Sequence, residues 1–223
     1  MPDDAPVIRT VGCADFLAIG MGRGYACQKG SCYAIPTLTR HVKGILFADY
    51  VRMIRACKDV AWERHLLPSD LEVVHTKIDP SAWFPMEIFE RLGNAILHEV
   101  AHGELEAVRM WGKYSVDQIH AAMPTIVAPG DPVETLNRFR VLRSTYFDFD
   151  ALDLPMLLSH RVHVVVGYHM GNPAEEAASM QTLGFFERLL EVAGAMAVDS
   201  RFVERVWAGD RRTLFEISWT TGR

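Results

Sequence analysis

The chain has no run of 18 consecutive apolar residues, so no segment is long enough to form a membrane-spanning helix. Excess charge of either sign is small. The net charge is −5 over 223 residues, and no Lys/Arg cluster stands out as the footprint of a nucleic-acid-binding face. The first residues, Met1-Pro2-Asp3-Asp4, are acidic where a secretory leader carries Lys or Arg. The chain therefore reads as cytoplasmic, with no membrane and no nucleic acid among its partners. Cysteine is scarce, and the four present (Cys13, Cys27, Cys32, Cys57) read as free thiols in a reducing compartment. Several catalytic signatures are missing. There is no phosphate-binding G-x-x-x-x-G-K-[ST] and no G-x-S-x-G nucleophile elbow. Gly20-x-Gly22-x-Gly24 neither follows a strand pattern nor opens a helix, so it fails as a dinucleotide fingerprint.

What remains is an ordinary globular composition, 49% hydrophobic and 23% charged, in a chain of one-domain length. Residues 1–38 show neither period and read as an irregular N-terminal extension, leaving 39–223 as a single α+β domain of ligand-binding type. Apolar spacing predicts helices over about 42–58, 85–102 and 104–121. Asp131-Pro132-Val133-Glu134 opens another helix, to about Arg143, with an Asp cap, a Pro at the first position and an early Glu. The period then changes. Alternation predicts strands at 146–150 and 157–169, a capped helix from Asn172-Pro173 to about Gly194, and strands at 197–207 and 212–219. Helices followed by strand-strand-helix-strand-strand indicate α+β with an antiparallel sheet rather than a doubly wound fold.

Nine histidines are the unusual count. His98-Glu99-Val100-Ala101-His102 fits H-E-x-x-H, in which two imidazoles on one helix face hold Zn²⁺ and the Glu serves as general base. Glu134 is the one later acid at plausible distance for a third ligand. The plainer account places both histidines at a helix C-terminus, where the dipole favours them. Of His160, His163 and His169, the last two share parity on one strand but stand about 20 Å apart, too far to share a metal. His41, His65, His75 and His120 form no constellation.

Several ordered motifs resemble the myxobacterial paralogous domain family of unknown function. They are Val42-Lys43-Gly44, Ser81-Ala82-Trp83-Phe84-Pro85, Gly130-Asp131-Pro132, Tyr146-Phe147-Asp148, Gly184-Phe185-Phe186 with Ala193-Gly194-Ala195, and Glu216-Ile217-Ser218-Trp219. The likeness covers about 42–219. That family is distantly similar to the haem-NO-binding and 4-vinyl-reductase (hydrocarbon-binding) superfamily. The resemblance implies helices before a strand-strand-helix-strand-strand sheet and a small-molecule pocket between them. It supplies no catalytic residue and no haem-ligating histidine, so neither haem nor zinc is favoured as cofactor.

The expectation is thus a non-enzymatic small-molecule-binding or sensory module. Its apolar ligand would lie against Trp83, Phe84, Trp111, Met180, Phe185 and Phe186, and its output would pass through a signalling partner or a homodimer. The alternative is a zinc-dependent hydrolase built on His98, His102, Glu99 and Glu134.

Overall fold

The computed structural model describes residues 25–28, 31–34 and 39–222, and the chain divides into two units, Met1–Thr39 and Arg40–Arg223. In the first unit, β1 (Tyr25–Gln28) and β2 (Ser31–Ala34) form an antiparallel hairpin in which Cys27 and Cys32 are Cα partners. This is regular structure within a segment whose sequence reads as irregular. Cys13 and the rest of 1–38 lie outside the described residues. Cys57 is a free thiol.

The second unit opens with β3 (His41–Lys43), which runs directly into α1 (Gly44–Ala56). Then come α2 (Pro68–His75), β4 (Trp83–Pro85) paired antiparallel with β3, and α3 (Met86–Glu99). Next are α4 (Leu105–Ala122) and α5 (Pro132–Leu142), whose Asp131 cap accepts from the Glu134 N–H at 2.9 Å. The last part is β5 (Leu152–Leu158), β6 (Arg161–Val166), α6 (Ala174–Val192), β7 (Ala195–Glu204) and β8 (Thr213–Thr221). These four strands form one antiparallel sheet in the order β5-β6-β8-β7. The fold is therefore α+β, with helices preceding a strand-strand-helix-strand-strand sheet. Among the described residues no helix is long and apolar enough to cross a membrane.

Side-chain alternation explains the layering. On β6, Val162, Val164 and Val166 are buried, while Arg161 and His163 stand on the opposite face. The buried valines belong to the same core as Phe215 and Ile217 of β8 and Leu183, Phe186, Leu189 and Leu190 of α6. On the other face His163 Nε2 meets Glu216 Oε2 at 2.9 Å, and Arg201 donates to Glu216 Oε1 at 3.0 Å.

α4 and α6 cross with their backbones almost touching. A methyl at Gly112 would lie 1.9 Å from the Gln181 carbonyl oxygen, and one at Gly184 would lie 2.0 Å from the Arg109 carbonyl oxygen. Only glycine permits that approach. Beside the crossing, buried Glu187 accepts from Arg109 Nε and Nη2 at 3.0 and 2.5 Å and meets Lys113 Nζ at 3.2 Å.

Three expected boundaries move. Residues 146–150 form no strand. Phe147 makes a single bridge to Val42, and the two strands expected across 146–169 lie at β5 and β6 instead. His169 is beyond β6 with φ 54°, so it shares no strand with His163. The helix expected to reach 102 ends at Glu99, and His102 (φ 51°) and Gly103 (φ 80°) turn left-handed after it.

Candidate functional site

The helices and the sheet do not close completely on one another. A cavity of about 100 Å³ remains between α1, α4, α5 and α6, and its wall includes Tyr50, Phe139, Tyr168, Gln181, Phe185 and Phe186. The sequence puts these groups there by ordinary amphipathic logic. Leu46 and Tyr50 are one helical turn apart on α1, and Ala178, Gln181, Thr182 and Phe185 recur at the i, i+3, i+4 spacing of one α6 face. Phe139, Phe185 and Phe186 form an aromatic cluster with centroids 4.9–5.7 Å apart. Tyr50 stacks on Phe89 at 4.4 Å.

Several polar side chains of this wall pair with one another, while Asp49 pairs with Arg52 and Ser115 Oγ donates to the Trp111 carbonyl at 2.9 Å. The Tyr50 hydroxyl donates to Gln181 Oε1 at 2.8 Å. The Tyr168 hydroxyl and Thr182 Oγ1 share a hydrogen bond of 2.6 Å, and Thr182 donates onward to the Ala178 carbonyl at 2.8 Å. Burial pushes both phenols well above the ordinary tyrosine value, so they remain neutral. None of the orphaned buried polar atoms among the described residues (Asn94 Oδ1, Ser179 Oγ, Trp219 Nε1) lies in this wall. The mostly aromatic and aliphatic lining suits an occupant with few hydrogen-bonding demands.

Of the apolar residues expected around a ligand, Phe185 and Phe186 line this cavity. Trp111 lines a smaller space of about 20 Å³ that shares Tyr50, Phe89 and Ala178 with it. Phe84 stacks on Phe47 at 4.4 Å instead. Trp83 is exposed, with Lys43 Nζ 4.1 Å from its ring centroid. Met180 packs at the edge of the core and is not in the wall. Sequence reasoning misses Tyr168, Gln181 and Thr182. The signal available is a polar pair, Gln181-Thr182, on a helix face that is otherwise apolar.

The H-E-x-x-H geometry does not form. The helix ends at Glu99, so His102 does not follow His98 on a helical face, and Glu134 bonds Arg138 on its own helix at 3.0 Å. The residues that converge are His65, His98 and Glu99, whose ligand atoms all lie within 4.8 Å of one another.

No protein-family model matches the sequence, and no curated protein matches it. Solved structures do match. One, described as probing the function of heme distortion in the H-NOX family, superposes with TM-score 0.56 at 13% identity, covering 81% of this chain and 96% of that one. A point mutant of the T. tengcongensis H-NOX gives TM-score 0.54 at 13% identity over 80% and 98%. An oxygen-binding H-NOX domain related to soluble guanylate cyclases gives 0.54 at 14% over 80% and 95%. The chain shares the fold of these H-NOX proteins.

The residues around the cavity do not fit a haem. Haem iron is held by His, Met, Cys thiolate or Tyr phenolate. Among the described residues the wall offers tyrosines and no His, Met or Cys. Tyr50 and Tyr168 are hydrogen-bonded neutral phenols, and burial raises Tyr146 as well. The volume, about 100 Å³, is below the roughly 150 Å³ of an engineered cavity that takes benzene, and a tetrapyrrole is far larger.

Proposed function

We propose that this chain is a non-enzymatic small-molecule-binding domain of sensory type, and that its ligand occupies the cavity between α1, α4, α5 and α6. One observation carries the reading. The cavity is lined mostly by apolar and aromatic side chains, and two polar pairs in its wall, Tyr50–Gln181 and Tyr168–Thr182, are hydrogen-bonded to each other. Its volume of about 100 Å³ suits a compact neutral molecule, up to somewhat below benzene in size. The fold shared with an oxygen-binding H-NOX domain agrees with a small neutral ligand.

The same wall suggests how occupancy is reported. α6 supplies Gln181, Phe185 and Phe186 to the cavity and also covers the sheet. It touches α4 at Gly112 and Gly184 with no slack, so an occupant that displaces Phe185 must move the helix pair. The output then passes to a signalling partner or to a second copy of the chain.

The test is thermal unfolding of the full chain with small apolar probes (xenon, cyclopropane), together with native mass spectrometry of the protein as purified. A bound probe stabilises by about 2.7 kcal/mol when present at 100 times its Kd. Saturable stabilisation by at least one probe is expected. No shift with any probe, together with only the bare chain mass, contradicts the proposal.

A further inference from the structure

Away from the cavity, α3 ends beside the loop that joins α1 to α2. That loop is held by its own core contacts. Trp62 is buried, its indole N–H donates to the Cys57 carbonyl at 3.1 Å, and Leu66 is buried beside it. His65, between these two anchors, is thereby presented to the end of α3. Its Nε2 lies 2.6 Å from Glu99 Oε1, and His98 Nδ1 lies 3.0 Å from the same oxygen. The two imidazole rings are 5.1 Å apart, centroid to centroid.

We propose that His65, His98 and Glu99 form a binding site for a divalent transition metal of the zinc class. The donor set suits it. Two imidazoles and one carboxylate are the ligand types that Zn²⁺ takes, at bond lengths of about 2.0–2.2 Å, with a fourth position left open. Ligand atoms around a tetrahedral ion at such bond lengths stand about 3.4 Å apart. The observed separations of 2.6 and 3.0 Å therefore need to open by less than an ångström. His98 is 73% exposed, so its ring is free to adjust towards a bound ion.

The surroundings also favour a cation. The three groups sit at the C-terminus of a 14-residue helix, the negative end of its dipole. His65 and His98 open onto a cleft of about 800 Å³ that also carries Asn94, His102 and Glu176. Asn94 precedes His98 by one turn, and its buried Oδ1 has no hydrogen-bond partner.

This site differs from the H-E-x-x-H reading in membership and in role. His65 replaces His102, and Glu99 is a ligand, so it is not free to act as a general base. No hydrolytic step follows from it. The site is separate from the apolar cavity and stands or falls independently of it.

The experiment is titration of the full reduced chain with cobalt(II) and with zinc, followed by visible absorption and calorimetry. One equivalent is expected to bind, with a d–d spectrum of nitrogen and oxygen ligation and no thiolate-to-cobalt charge-transfer band. His98→Ala and His65→Ala should each weaken binding at least tenfold, and His102→Ala should leave it within about twofold. Because His98 is on the surface, its removal does not threaten folding, and circular dichroism checks this. Three results overturn the site: no saturable one-to-one binding, binding with thiolate bands that survives His65→Ala, or loss in His102→Ala with none in His65→Ala.

Discussion

The Tyr50 hydroxyl donates to Gln181 Oε1 at 2.8 Å, tying α1 to α6 at the cavity wall across 131 residues of sequence. Tyr50→Phe deletes the donor and leaves the phenyl stack on Phe89 intact. The expected loss is about 1 kcal/mol, the usual net value of a partly buried hydrogen bond. In a domain of this size that lowers Tm by about 2–4 °C. An unchanged Tm in differential scanning calorimetry would show that the two helices are not joined this way.

The α4–α6 crossing predicts a steeper loss. In Gly184→Ala the new methyl meets the Arg109 carbonyl oxygen at 2.0 Å, and backbone cannot swing aside as a side chain does. Better helix propensity returns about 1 kcal/mol, but the overpacking costs about 1–3 kcal/mol or more, and the rigid contact puts it at the upper end. Net destabilisation is expected in urea unfolding. Gly209→Asn is the comparison, since that glycine sits in a turn at φ 96° with nothing within 4 Å, and Asn tolerates that conformation at small cost. Equal effects in the two variants would refute the close crossing.

Two buried carboxylates predict opposite pH dependence. Burial alone would raise Asp70. The Arg91 Nε and Nη2 donors, both at 2.7 Å, and the Leu67 N–H at 3.0 Å outweigh it and hold the carboxyl below its ordinary value of 3.8. The unfolded chain then binds more protons in acid. The stability from Asp70 is complete above that ordinary value and is lost as pH falls through the lower folded one. Asp70→Asn should cost about 2–3 kcal/mol at neutral pH and flatten the acid limb of a urea-midpoint profile.

Glu175 behaves in the reverse sense. Burial raises it above its ordinary value of 4.5, despite the Met170 N–H that donates to it at 2.7 Å. Its contribution is present in acid and is lost as pH rises from that ordinary value through the folded one. Glu175→Gln should therefore gain stability relative to the parent as pH rises through this range. A parallel profile for parent and variant would contradict the assignment.

These relationships mark the boundary of what a sequence displays. The order of helices and strands from α3 onward, and the core faces of β6 and α6, follow from local periodicity, because Val162, Val164 and Val166 alternate and Leu183, Phe186 and Leu190 recur at helical spacing, whereas the short strands β1 to β4 carry no such period. The segment Tyr146-Phe147-Asp148-Phe149-Asp150 alternates as cleanly and forms no strand. There Asp148 is taken by the His41 backbone and ring at 2.7 and 2.6 Å, and Phe147 and Phe149 pack edge to face. A tertiary partner settled that stretch, and it lies more than a hundred residues away. The same distance hides the sites. His65 has no neighbouring ligand in sequence, and it joins His98 and Glu99 only because Trp62 and Leu66 anchor its loop. The Phe185-Phe186 pair is visible as a lining candidate, whereas the Tyr50–Gln181 and Tyr168–Thr182 pairs exist only across packed elements.

Filling the cavity should remove ligand binding and leave the fold in place. Ser115→Leu sets a larger apolar side chain into the cavity wall on α4, with a residue of good helix propensity. Folding is expected to persist by circular dichroism, and stabilisation by apolar probes should fall at least tenfold in apparent affinity. Retained stabilisation in this variant would place the probes elsewhere.

The most direct measurement is diffraction from crystals of the chain pressurised with xenon, which reports an apolar space by its anomalous signal. The account predicts one dominant xenon between Tyr50, Phe139 and Phe185, in the cavity of about 100 Å³. An empty cavity there, with side chains closed across it or xenon bound only at other positions, would contradict the claim that this domain holds a small neutral ligand between its helices.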